Sequence, residues 1–126
     1  MTSKVFSSLD LQSAQRCNYR VLKKSAPEFY ASEDYYSVMG GGNSITGAFF
    51  GKQATVLGLE SELNGIQLDS TLEQVSISSA VTVGEAQSYL VSRGFMLTSA
   101  PSYPGATIGG CIAGNVHGQN HFKEGC

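Results

Sequence analysis

Apolar residues along the chain come in short bursts separated by glycine and polar stretches. The longest near-continuous burst, Ala54-Thr-Val-Leu-Gly-Leu59, has strand length and predicts a strand covered on both faces. From Gln74 the pattern changes: Val75 and Ile77 alternate with Gln74, Ser76 and Ser78, as in a strand with one buried face that ends at Ser79-Ala80. Thr82-Val-Gly-Glu85 then fits a capping box, and Ala86, Tyr89 and Leu90 carry a helical period. Arg93 suits that helix's last turn, and Gly94 stands where a left-handed cap belongs. Tyr19-Arg-Val-Leu-Lys23, Tyr35-Tyr-Ser-Val-Met39 and Phe95-Met-Leu-Thr98 read as further strands, with a polar turn or single helical turn from Pro27 to Glu33 and a turn at Asn64-Gly65. Met1 to Arg16 shows no sustained period and reads as an irregular lead-in. The expected order is strand, strand, glycine loop, strand, strand, helix, strand, glycine loop, a small mixed α+β arrangement.

The two glycine loops interrupt this pattern. Between Ala100 and His121, Gly105, Gly109, Gly110, Gly114 and Gly118 are interleaved with Thr107, Asn115, His117, Gln119, Asn120 and His121. Bare backbone beside hydrogen-bonding side chains is the composition of a ligand cradle. The upstream cluster, Gly40-Gly-Gly-Asn-Ser-Ile-Thr-Gly47, runs directly on from a strand and is expected to complete such a site. It fits neither common phosphate motif. A dinucleotide fingerprint begun at Gly40 needs glycine where Ile45 stands, and a P-loop on Gly42 and Gly47 needs lysine and a hydroxyl residue where Ala48 and Phe49 stand. On the cluster alone, a glycine turn joining two strands is an equal reading.

Composition narrows the classes. The 126 residues, 41% hydrophobic and 14% charged, suit one modest domain. A net charge of −2 with scattered Lys and Arg argues against nucleic acid. No apolar run is long enough to span a bilayer and residues 1–8 lack a signal-peptide block, so a cytoplasmic protein is the expectation. Cys17, Cys111 and Cys126 form no CxxC pair and read as reduced thiols, Cys111 as a buried thiol in preference to a nucleophile. His117, His121 and Cys126 suggest a metal site, but the two histidines share a face only on a helix, and Gly118 and Asn120 are poor helix residues; no metal site is assigned. Tyr35-Tyr36 and Phe49-Phe50 are read as core.

Met39 to Gly47, Val56 to Ile66, Val75 to Val83 and, most specifically, Thr107-Ile-Gly-Gly-Cys-Ile-Ala-Gly-Asn-Val-His-Gly118 resemble successive motifs of the FAD-binding (PCMH-type) domain of the vanillyl-alcohol oxidase and para-cresol methylhydroxylase flavoprotein superfamily. Val116-His-Gly-Gln-Asn-His121 is most similar to the branch containing decaprenylphosphoryl-ribose 2-oxidase and, less closely, the aldonolactone oxidases. The resemblance implies residues 19–126 as the amino-terminal portion of that α+β domain, a small mixed sheet with flanking helices, preceded by an arm over 1–18. Family members continue into the rest of the FAD domain and a substrate domain. The chain, closing on Lys123-Glu-Gly-Cys126 without a further element, is therefore expected to be truncated, and inactive without the missing C-terminal region or a partner chain.

The resemblance also implies the site. FAD is held by Gly40, Gly41, Gly42, Asn43, Ser44 and Gly47 in the first loop, and by Pro104, Gly105, Thr107, Ile108, Gly109, Gly110, Ala113, Asn115, Val116, His117 and Gly118 in the second. Asn43 occupies the position from which some relatives attach flavin through histidine, so the FAD is non-covalent. Positions matching His117 and Gln119 lie near the flavin ring and substrate pocket. The branch usually has lysine where Gln119 stands, and the family usually has glycine where Ala80 stands. The expected activity is oxidation of a hydroxyl of a small sugar or sugar derivative by hydride transfer to FAD, with His117 serving either flavin and substrate or a structural bond to a backbone carbonyl. The alternative is a catalytically inactive flavin- or nucleotide-binding module.

Overall fold

The computed structural model describes residues 2–22, 35–51, 54–59 and 65–124. The expected turn from Pro27 to Glu33, Lys23, Asn64 and Cys126 lie outside the described residues. The chain divides into two compact units, Met1–Glu60 and Ser61–Cys126.

The first unit is a four-stranded sheet formed by β1 (Thr2–Ser7), β2 (Ala14–Leu22), β3 (Tyr36–Met39) and β4 (Thr55–Leu59), in the order β1-β2-β4-β3. β1 and β2 form an antiparallel hairpin, in register from Thr2 opposite Tyr19 to Ser7 opposite Ala14. The expected irregular lead-in and 1–18 arm therefore form one complete strand and the start of a second. The period was hidden because β1 is an edge strand with little burial. Only Phe6 is part-buried, and Lys4 lays its ammonium 3.9 Å from the centroid of the Tyr19 ring, presenting a cationic head where a core strand has an apolar side chain.

β4 is parallel to both neighbours, with Tyr19 and Ser37 flanking Val56. As its unbroken apolar run predicts, Thr55 to Gly58 are buried and Val56 is fully so. Cys17, Val56 and Phe49 form the centre of this core, with Phe6, Tyr19, Met39 and Phe50 packed around it. The Phe49 and Phe50 rings meet edge to face at 5.1 Å, which confirms that pair as core. Parallel neighbours cannot be joined by a tight turn. The connection that begins with Gly40 to Gly51 is thus a crossover, not the glycine turn the cluster also allowed, and it leaves the carboxyl end of β3.

The second unit opens with an antiparallel hairpin of β5 (Ile66–Asp69) and β6 (Gln74–Ile77). β6 follows the expected alternation. β5 was not expected, although Ile66 and Leu68 pair with Ile77 and Val75 on the same half-buried face. The Asp69 carboxylate closes the turn by accepting the amides of Thr71 and Leu72 at 3.0 and 3.2 Å.

Helix α1 (Val83–Val91) starts with the predicted capping box: Thr82 Oγ1 accepts the Glu85 amide at 3.2 Å, and Glu85 Oε2 accepts the Thr82 amide at 2.7 Å. Val83, Ala86 and Leu90 form its buried face, while Tyr89 is only part-buried. At the far end Gly94 has φ +80°, its amide bonds Val91 O and the Phe95 amide bonds Leu90 O, the paired bonds of a left-handed helix stop. Arg93 lies just past the helix, stacks 3.6 Å over the Tyr89 ring and donates to Tyr89 O. Phe95 to Thr98 forms no strand. After the reversal at Gly94 the chain returns along α1, and the Leu97 amide bonds the Gln87 side chain at 3.2 Å instead of a neighbouring strand.

Two short helices follow, α2 (Ile108–Ala113) and α3 (His121–Glu124). Sheets and helices together make an α+β fold. Among the described residues, no helix is long and apolar enough to cross a membrane.

Candidate functional site

In the first unit, the Gly40–Gly47 segment is built from both ends. Downstream, Phe49 is sealed in the core and its carbonyl accepts the Ser37 hydroxyl of β3 at 2.7 Å. Gly47 is buried with φ +65°, and a Cβ there would lie 2.6 Å from the Phe50 ring, so both conformation and space demand glycine. Gly42, at φ +72°, turns the chain by conformation alone. At the centre, Ser44 O accepts the Leu9 amide at 3.1 Å and the Gly47 amide at 3.3 Å, while Ser44 Oγ accepts the Ala48 amide at 3.2 Å. The Ser44 hydroxyl proton is left to donate, with Thr46 Oγ1 3.4 Å away.

Among the described residues, nothing accepts the amides of Gly41, Gly42, Ile45 or Thr46. Four donors on an accessible, glycine-turned segment at the carboxyl end of a parallel strand fit an anion such as a pyrophosphate. Of these, Ile45 and Thr46 were missed in the sequence. Their donors are backbone groups, so the only available signal was their place between Gly42 and Gly47.

The second stretch is built differently. Thr107 is not an exposed loop hydroxyl: it is buried, its Oγ1 accepts the Gly110 amide at 3.2 Å, and it caps α2. The Ile108 amide bonds Val81 O and the Gly109 amide bonds Ser79 O, both at 2.9 Å. A Cβ on Gly109 would stand 2.9 Å from Ser79 Cβ, so this glycine serves contact between chain segments. At the end of α2, Asn115 takes φ +46°, its amide bonds Ile112 O and the Val116 amide bonds Cys111 O, repeating the stop at Gly94. The expected glycine loop is thus a capped helix. Two caps and two anchoring bonds offset the poor helix propensity of Gly109 and Gly110.

Pro104 and Gly105 lie on the turn before this helix, where Pro104 O accepts the Gly84 amide at 2.9 Å. Ala113 is exposed on α2. Gly118 is buried, and a Cβ there would meet Ser99 Oγ and lie 2.9 Å from Ala100 O. Ala80, where the family has glycine, is buried and does not have positive φ, so its methyl is accommodated.

His117 is exposed and stacks on His121 with ring centroids 5.5 Å apart. The histidine facing a backbone carbonyl is His121, whose Nδ1 is 2.9 Å from Gly118 O. Gln119 is exposed and, with Asn120, Met96, Pro101 and Gln87, lines a cavity of about 400 Å³ that His117 does not line. The Cys111 thiol is part-buried, and that burial pushes its pKa up, away from nucleophilic character.

An α+β fold with open backbone amides after a parallel strand fits a nucleotide-cofactor-binding protein. A family model described as FAD binding domain matches residues 27–126, and the chain belongs to that family, the FAD-binding domains of the vanillyl-alcohol oxidase and para-cresol methylhydroxylase flavoproteins. Its cofactor is FAD, and the class this defines is the flavin-dependent oxidoreductases. No curated protein matches the chain.

Proposed function

We propose that the chain binds FAD non-covalently and serves an oxidoreductase of the sugar-oxidising branch, acting on a hydroxyl of a sugar or sugar derivative. The observation that carries this reading is the set of four amides, at Gly41, Gly42, Ile45 and Thr46, that no group among the described residues accepts, flanking Ser44 in sequence. They would hold the cofactor's pyrophosphate without a formal positive charge. Asn43 offers no nucleophile for a covalent flavin bond, which supports a dissociable cofactor.

The chemistry supplied by FAD, when bound, is hydride acceptance from a carbinol carbon. The chain's own contribution to proton handling is assigned to His117, whose exposed imidazole has a nitrogen available to take the substrate hydroxyl proton. Gln119, in the cavity that His117 does not line, would bind a sugar hydroxyl there as a neutral amide that can both donate and accept. The internally bonded amides of Ile108, Gly109 and Gly110 are assigned to building the second loop, and buried Gly118 to packing, leaving side chains and the exposed Asn115–His117 segment to face ligand.

The test is a visible spectrum of the full chain after FAD loading and desalting, followed by anaerobic addition of a panel of sugars. Flavin bands that survive desalting, leave the protein on denaturation and bleach with a sugar support the proposal. Bands that remain attached after denaturation refute non-covalent binding. Retained bands that no sugar bleaches leave FAD binding standing and favour the inactive flavin-binding module, or a chain that needs a further region or partner for activity.

A further inference from the structure

The turn joining β1 and β2, residues 8–13, lies outside the 27–126 family match, yet it is one of the most densely bonded segments of the first unit. Ser8 is buried to 1% exposure. Its amide bonds Ser13 O at 2.9 Å, its hydroxyl accepts the Ser13 amide at 3.0 Å and donates to Asp10 Oδ1 at 2.6 Å. Asp10 Oδ1 also accepts the Gln12 amide at 3.0 Å, and these bonds hold Leu11 at φ +59°, a conformation leucine rarely adopts. The side chains of Leu9 and Leu11 are exposed at 62% and 78%, so hydrophobic burial does not explain the turn. Among the described residues, its one outward backbone bond runs from the Leu9 amide to Ser44 O, in the middle of the first FAD loop.

That bond acts on the donor beside it. Ser44 C=O and Ile45 N–H belong to one planar peptide, and in a trans peptide the two point in opposite directions. Two donors, Leu9 N and Gly47 N, hold the carbonyl on one side, so the Ile45 amide is aimed away from them. Without Leu9 a single 3.3 Å bond from the conformationally permissive Gly47 would remain, and the peptide could rotate.

We infer that the β1–β2 turn is a positioning element for the pyrophosphate loop: the Leu9 amide, set by the Ser8–Asp10–Gln12 bonds, fixes the Ser44 peptide so that Ile45 N–H meets the phosphate. This rests on the reading of the first loop as the pyrophosphate site. Leu9 and Asp10 act through Ser44 and do not touch ligand themselves. Asp10 is ionised over the whole neutral range, because the Ser8 and Gln12 bonds hold its carboxyl below the ordinary value.

The experiment titrates FAD and ADP, which shares the pyrophosphate but lacks the flavin, into the full chain and into Leu9→Pro, Asp10→Ala and Asp10→Asn. Val5→Gly, which weakens the same hairpin at an exposed β1 position outside the Phe49 core, is the control for general destabilisation. Losing one hydrogen bond's worth of orientation corresponds to about a three- to tenfold loss of affinity. The expected result is that loss for both ligands in Leu9→Pro and Asp10→Ala, partial recovery in Asp10→Asn, which keeps an acceptor oxygen, and unchanged affinity in Val5→Gly. Asp10 is exposed, so its variants fold even if Leu9→Pro does not. Unchanged ADP affinity in Asp10→Ala, or an equal loss in Val5→Gly, overturns the positioning role while leaving the pyrophosphate reading intact. A wild-type chain that binds FAD but not ADP overturns the pyrophosphate reading and this inference with it.

Discussion

Gly118→Ala separates two explanations for a glycine in a family cofactor loop. If Gly118 is there so that ligand can approach the backbone, alanine should lower FAD affinity and leave the apo protein as stable as before. The structure argues the opposite. Gly118 is buried, and its new methyl would overlap Ser99 Oγ and sit 2.9 Å from the Ala100 carbonyl oxygen. Ser99 can change rotamer, but the Ala100 backbone cannot, so the 99–100 segment or the 117–119 segment must shift by several tenths of an ångström. Overpacking of this kind costs about 1–3 kcal/mol. An unfolding entropy of about 2.1 cal/mol/K per residue gives roughly 0.26 kcal/mol/K for 126 residues, so the melting temperature should fall by about 4–11 °C. The assay is thermal and urea unfolding of the apo chain, with Gly94→Ala alongside. Nothing lies within 4 Å of a Cβ on Gly94, but its φ of +80° gives that variant a purely conformational cost of about 1–2 kcal/mol. An apo Gly118→Ala protein with wild-type stability and weakened FAD binding would refute the packing argument.

Three other outcomes are expected. Thr82→Ala removes the hydroxyl half of the α1 capping box, leaving the Glu85 amide without its Oγ1 acceptor while the backbone amide at 82 keeps its bond to Glu85 Oε2, and should destabilise the chain by about 0.5–2 kcal/mol in urea melts, whereas Thr82→Ser should recover most of the loss. The folded pKa of Asp10 is lowered, chiefly by the Ser8 hydroxyl and then by the Gln12 amide, so the unfolded chain takes up the proton more readily. Its contribution is therefore complete above the unfolded value near 3.8 and is lost as pH falls through the lower folded value; a plot of urea midpoint against pH should lose part of its acid slope in Asp10→Asn, and identical slopes would refute the assignment. Burial raises the Cys111 pKa, so alkylation at neutral pH, mapped by mass spectrometry, should be slower at Cys111 than at a free thiol of ordinary pKa.

Local chemistry was legible in the residues. The capping box at Thr82, the left-handed stop at Gly94, the doubly covered strand at Thr55–Leu59 and the alternation at Val75 and Ile77 each depend on neighbours within a few positions. The turns of the first glycine cluster were also legible, because Gly42 and Gly47 announce positive φ whatever surrounds them. The second cluster was misread as an open loop. Six glycine-rich residues become helical there only because Val81 O and Ser79 O accept the first amides and Thr107 and Asn115 close the ends.

Where turns and caps fall, that strands and a helix mix in one small α+β chain, and that FAD is the cofactor to expect all follow from residue type, spacing and motif. Which glycines meet other parts of the chain, and which amides stay open, emerges only once the chain is packed. So does the amino-terminal segment's place as a sheet edge whose turn reaches Ser44. The physical reason is that these are contacts between backbone groups: Leu9 N to Ser44 O, Gly109 N to Ser79 O, Gly118 against Ala100. Every residue but proline carries the same donor and every residue the same acceptor, so side-chain identity does not encode which pairs will form.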